Sequence, residues 1–141
     1  MKISIGSDHA GFELKEHIKN YLQESGYEII DEGTHSLDSV DYPDYGKAVG
    51  ERITNGEAKF GVVVCGSGIG ISIAANKVKG IRCARVDEPL SARLSRLHND
   101  ANVIALGARL TGVTMAEEIV DEFLRTEFEG GRHSNRVCKL D

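Results

Sequence analysis

Residues 60 to 70 constrain this chain more than any other stretch. They join an unbroken apolar run, Phe60-Gly61-Val62-Val63-Val64, to a thiol at Cys65 and then to Gly66, Gly68 and Gly70, interleaved with Ser67 and Ile69. A strand without a polar face must be covered on both sides, and that is the place of a central strand in a parallel sheet flanked by helices. Helix-like sequence, Ile71 to Val78, follows directly. The thiol therefore stands where a strand stops, facing a turn whose glycines let backbone N–H groups point at a ligand. The start of the next helix adds partial positive charge there. Such surroundings favour a thiolate and stabilise an oxyanion. A cysteine that ends a buried strand serves more often as a small apolar filler than as a reagent. The rest of the chain has to decide between the two.

The same strand–helix unit recurs along the sequence. Met1 to Gly6 alternates Ile3 and Ile5 as a short strand, with Ser7 or Asp8 placed to cap the helix after it. Leu14, Ile18, Tyr21 and Leu22 fall at helical spacing, and Gly26 stops that helix. Tyr27 to Ile30 reads as a second strand. A polar loop containing Pro43 precedes a short helix from about Tyr45 to near Gly56. After the central strand and the helix from Ile69 to Gly80 come a strand at Ile81 to Val86 and a helix marked by Leu90, Leu94 and Leu97. Asn102 to Leu106 is a fifth strand, and Val113 to Phe128 a final amphipathic helix before a basic tail with Arg132, His133 and Arg136. The pattern predicts one α/β domain over residues 1–141, doubly wound and Rossmann-like, with a five-stranded parallel sheet flanked by helices.

Composition narrows the classes. A chain of 141 residues with net charge −5 and a pI near 5.5 is a poor match for a binder of nucleic acid or anionic membranes. Cys65, Cys83 and Cys138 lack metal-ligand spacing and cannot all pair, which fits a reducing cytoplasm. Met1-Lys2 leads straight into a strand pattern without an apolar signal segment. The longest uncharged stretch, Phe60 to Asn76, is too rich in glycine and serine for a membrane span.

In open parallel sheets, ligands bind outside the carboxyl ends of the strands. Strand one ends at Ser7-Asp8-His9, strand three at Cys65-Gly66-Ser67 and strand five at Gly107-Ala108-Arg109, so these share one rim. His98-Asn99-Asp100 closes a helix and does not belong to that rim by topology. Familiar motifs fail: the dinucleotide fingerprint would place its third glycine where Ile71 stands, although Asp87 lies at about the ribose-binding distance. There is no nucleoside-triphosphate loop, no arginine six residues after the thiol as a cysteine phosphatase needs, and no His-x-x-x-His metal pair. No metal is implied.

A thiol, an oxyanion cradle, histidines and arginines without a nucleotide loop suit a small phosphorylated substrate, since guanidinium grips phosphate bidentately. Arg132 and Arg136 are one helical turn apart and could hold one anion, or simply form a solvated tail. His133 beside them is open to phosphate contact, whereas Cys83 and Cys138 are most simply structural. A thiolate that takes a carbon-bound proton beside N–H groups that hold an enediolate is the chemistry of an aldose–ketose isomerase.

Five separated segments also resemble the B-type ribose-5-phosphate isomerases and their galactose-6-phosphate isomerase relatives. They are Gly6-Ser7-Asp8-His9-Ala10-Gly11, Asp41-Tyr42-Pro43, Cys65 through Lys77, Ser95 through Asn102, and Gly130-Gly131-Arg132-His133. The resemblance implies a cofactor-free enzyme, a homodimer or homotetramer with active sites across a subunit interface, and a tail from about residue 129 that packs on a partner. It implies Cys65 as the general base between C1 and C2, and an enediolate held by Ser67 and the backbone N–H groups of Gly66 through Gly70. His98 would open the furanose ring, with Asp8 exchanging a proton near the ring oxygen. Tyr42 and Asn99 would bind sugar hydroxyls, and His9, Arg109, Arg132 and Arg136 the phosphate. Some relatives lack the cysteine and carry a glutamate at the position of Ile71, so this chain looks like the cysteine type. Ser67 stands where many have threonine, and Leu90 replaces a commoner aromatic. Two rivals lie in other classes. A sugar-phosphate sensor would not need Cys65 and His98 together, and a nicotinamide or flavin module would show cofactor binding. A six-carbon sugar phosphate is the alternative substrate.

Overall fold

The computed structural model describes residues 1–141 throughout. Five strands, β1 (Lys2–Ser7), β2 (Glu28–Asp31), β3 (Phe60–Cys65), β4 (Cys83–Arg85) and β5 (Val103–Gly107), form one sheet in the order β2-β1-β3-β5-β4. Every pairing is parallel. Between and after them run α1 (Phe12–Glu24), α2 (Tyr42–Thr54), α3 (Ile69–Asn76), α4 (Pro89–Asn99), α5 (Val113–Arg125) and α6 (Arg132–Cys138). The expected doubly wound α/β domain is the one observed.

β3 lies at the centre with all six residues buried, and its pleat divides them between two cores. Phe60, Val62 and Val64 enter the larger one, with Ile3, Ile5, Ile104 and Leu106, against Leu14, Ile18 and Leu22 of α1 and Ile119, Val120 and Phe123 of α5. Phe60 and Phe123 meet edge to face at 5.4 Å, and the Arg96 guanidinium lies 4.8 Å from the Phe60 ring centre. Val63 and Cys65 enter the smaller core with Val49, Ile71, Ala75, Val103 and Ala105. Strand parity thus turns the thiol toward α2 and α3 and places it beneath the start of α3.

Several local expectations change. α2 starts at Tyr42 rather than near Tyr45, because Pro43 sits in the first helical turn, where a missing N–H costs nothing. The residue before α1 is Gly11, without a side-chain cap; the Asp8 carboxylate instead accepts the Gly11 N–H at 3.0 Å and closes the turn. β4 is three residues long, as befits an edge strand paired only with β5. α4 buries Ala92, Ser95 and Arg96, while Leu90 and Leu94 are 51 % and 36 % exposed: that leucine row marks an uncovered face. α5 ends at Arg125, where Thr126 turns extended, and the basic tail forms α6 with His133 and Val137 buried. No helix is long and apolar enough to cross a membrane.

Candidate active site

The chain steps outward from β1 to β2 and then returns to the other side of β1 at β3, so the winding reverses between β1 and β3. Parallel sheets open a crevice at such a reversal, outside the strand carboxyl ends. A cavity of about 430 Å3 lies there, lined by Asp8, His9, Tyr42, Cys65, Gly66, Ser67, Gly70 and Arg109, together with Ala10 and Ile69.

Each side chain is placed by its element. Cys65 ends β3 and is buried, and the Gly68 N–H donates to its Sγ at 3.2 Å. Gly68 holds φ +76°, and a Cβ there would lie 2.8 Å from the Leu106 carbonyl carbon, so this turn packs on β5 as only glycine allows. Ser67 faces the cavity, and its Oγ accepts the Ile69 N–H at 3.2 Å. Asp8 is buried at the end of β1, one carboxylate oxygen engaged by Gly11. His9 Nδ1 accepts the Val40 N–H at 3.1 Å, which leaves the proton of a neutral ring on Nε2. The first turn of α2 lays the Tyr42 ring across Gly70, where a Cβ would meet it at 2.6 Å. Arg109 follows β5; its backbone N–H donates to the Gly66 carbonyl at 3.0 Å and its guanidinium covers Gly66.

The other expected residues lie elsewhere. His98, Asn99 and Arg136 line a second cavity of about 310 Å3 with His133, Val137 and Leu140. Gly68 is buried behind the first cavity rather than lining it, because its backbone is packed against Leu106. Arg132 lines neither cavity; its side chain is exposed, 3.7 Å from Glu129. α6 does put Arg132 and Arg136 on one helix, but only Arg136 faces a cavity.

His133, left open by the sequence, is buried and stacks on His98 with ring centres 4.5 Å apart and planes 18° from parallel. Burial, then the charges of Arg132 and His98, push its imidazole below the ordinary value. His98, Glu129 and His133 bring their ligand atoms within 4.8 Å of one another. Near-parallel rings aim their in-plane lone pairs side by side rather than at one point, so the trio has the spacing of a metal set without its convergence. Burial pushes the Cys83 thiol, on the first residue of β4, up to about 12, which makes it inert. Asp87 is held by Arg85 at 2.9 Å.

Sequence reasoning missed Arg85, whose Nε–H donates to the Ser67 carbonyl at 2.8 Å. The signal was present, since β4 also ends on this rim with Arg85 as its last residue.

Proton-transfer groups beside a cation, at the winding reversal of a doubly wound sheet, mark an enzyme for small anionic substrates. Comparison with known proteins narrows that class. A family profile described as Ribose/Galactose Isomerase matches residues 3–140. The chain is 51 % identical over 136 residues to ribose-5-phosphate isomerase B of Escherichia coli, covering 96 % of this chain and 91 % of that one. It is 43 % identical over 139 residues to the galactose-6-phosphate isomerase subunit LacB of Clostridium acetobutylicum, covering 99 % of this chain and 80 % of the relative. The solved ribose-5-phosphate isomerase B of Clostridium thermocellum superimposes with a TM-score of 0.98 at 56 % identity, covering 99 % of this chain and 95 % of that one. The chain belongs to the ribose/galactose isomerase family. Its activity is that of an aldose–ketose isomerase acting on a sugar phosphate.

Proposed function

We propose that the chain interconverts ribose 5-phosphate and ribulose 5-phosphate in the cytoplasm, without a cofactor, through a cis-enediolate and with Cys65 as general base. One observation carries this reading: a buried thiol at the cavity floor that already accepts a backbone N–H from the glycine turn. In the aldose-to-ketose direction His98 opens the furanose ring while Asp8 exchanges a proton near the ring oxygen. The Cys65 thiolate takes the proton from C2 and returns it to C1, and the hydroxyl proton passes from O2 to O1. Charge that develops on oxygen is met by Ser67 and the N–H groups of residues 66–70. Tyr42 and Asn99 hold sugar hydroxyls, and His9, Arg109, Arg132 and Arg136 the phosphate.

This scheme needs both cavities, and a single copy keeps them separate. A second copy of the chain, in a homodimer or homotetramer, brings His98, Asn99 and the arginines of α6 to the first copy's thiol. Exposed Ile69 and Ile73 of α3, 51 % and 54 % accessible beside the thiol cavity, supply an apolar surface for that contact.

The test is conversion of ribose 5-phosphate, with EDTA present, by wild type and Cys65→Ala. Losing a positioned base costs at least about a hundredfold in rate. Equal rates in both proteins would remove Cys65 as the base. The similarity to a galactose-6-phosphate isomerase subunit favours a second reading, a six-carbon substrate, and wild type inactive on the pentose but active on galactose or allose 6-phosphate would select it.

A further inference from the structure

We propose that Arg85 is a positioning residue for Cys65, acting through the single peptide group that joins Ser67 to Gly68. The inference rests on Cys65 being the functional thiol of the first cavity. The Arg85 Nε–H donates to the Ser67 carbonyl oxygen at 2.8 Å, and the N–H of the same peptide, that of Gly68, donates to Cys65 Sγ at 3.2 Å. A trans peptide points its C=O and N–H in opposite directions. The cation and the sulfur therefore occupy the two ends of one dipole. Donation to the oxygen withdraws electron density from the amide and strengthens its N–H as a donor, and hydrogen bonds in such a chain reinforce one another. A thiolate accepts that N–H better than a thiol does, so the arrangement favours the charged sulfur.

The relay is also stiff. Asp87 holds the far side of the guanidinium, Nη1 to Oδ2, at 2.9 Å. A Cβ on Gly107 would lie 2.6 Å from the Ser67 oxygen, so the carbonyl is wedged between β5 and Arg85. Other charged or titratable groups around Cys65 are Asp8 and His9 from the end of β1, Tyr42 from α2 and Arg109 after β5. α3 contributes none, since it reads Ile-Gly-Ile-Ser-Ile-Ala-Ala-Asn. Arg85 is distinct among these because it reaches the sulfur's hydrogen-bond donor rather than the cavity.

The test follows iodoacetamide alkylation of Cys65 against pH, resolved by mass spectrometry, in wild type and Arg85→Met. The Gly68 amide proton shift and the pH profile of kcat/KM are measured beside it. Arg85→Met should move the alkylation profile and the acid limb of kcat/KM to higher pH, slow alkylation at pH 7 about tenfold, and shift the Gly68 amide upfield. An unmoved alkylation profile overturns the proposal. A moved profile with an unshifted Gly68 amide also overturns it, because the charge then acts through space. If Arg85→Met does not fold, Arg85→Gln is read by the same criteria. Retained activity in Cys65→Ala would sink the general-base assignment while leaving alkylation and the amide shift to decide Arg85.

Discussion

Lys15 is a long cationic side chain that this fold buries completely. Its Nζ donates to Asp31 at 2.8 Å and to the Thr34 carbonyl at 2.8 Å, and Lys19 reaches the same carboxylate at 3.1 Å. Burial alone would push the Asp31 carboxyl up, but hydrogen bonds from Lys15, the Gly33 N–H and Lys19 outweigh it and hold the group below its ordinary value. The clamp reaches the site. Gly33 and Thr34 exchange backbone hydrogen bonds with Ser7 at 2.6 and 2.7 Å, immediately before Asp8. A carboxyl depressed in the folded state contributes stability above its unfolded value and loses it as pH falls through the folded one. Urea denaturation of wild type should therefore show stability falling as pH drops below about 3.9, and Asp31→Asn should be less stable at neutral pH with a flatter profile across that window. Parallel profiles for the two proteins would rule the clamp out. Nothing in the sequence pointed to Lys15, because a lysine at a helical position reads as solvated until its partner on another strand is known.

The β3–turn–α3 unit was legible from sequence because its determinants are local: an apolar run, a thiol, then glycines. Its rigidity was not, since the turn packs on Leu106 and Gly107, which lie some forty residues on. Gly68→Ala places a methyl 2.8 Å from backbone in a left-handed conformation. Such strain costs on the order of 1–3 kcal/mol. The variant should lower the thermal midpoint and reduce kcat, because relief of the strain swings the N–H away from Cys65; kcat at the wild-type value would separate the turn from catalysis. Other elements misled for equally physical reasons. Pro43 read as a loop residue although the first turn of a helix accepts proline, so the element that places Tyr42 was drawn too short. Leu90 and Leu94 marked α4 by their spacing yet face outward, the buried face of α4 being built on Ala92, Ser95 and Arg96. The tail gave no apolar period long enough to show that His133 and Val137 would bury one side of α6.

Two cavities, one with the thiol and one with His98, make the site a property of more than one copy if the proposed chemistry holds. Mixing separately inactive Cys65→Ala and His98→Ala proteins, then letting subunits exchange, should restore activity. In a two-fold dimer the hybrid carries one intact site and one doubly altered one, so a random mixture recovers roughly a quarter of the wild-type rate. No recovery, with exchange verified by mass spectrometry, would place both residues' work within one copy. Sequence order signalled only that His98 lay off the rim, since which surfaces meet depends on how exposed faces such as that of α3 find a partner. The wedging of the Ser67 carbonyl against Gly107 has a separate consequence for anyone reshaping the substrate preference of this enzyme. Two stretches far apart in the gene behave as one unit of inheritance there, and neither tolerates an isolated change. Tyr42, exposed on the cavity wall, carries no such wedge, so changes meant to alter the sugar contacts belong in the wall and not in the floor.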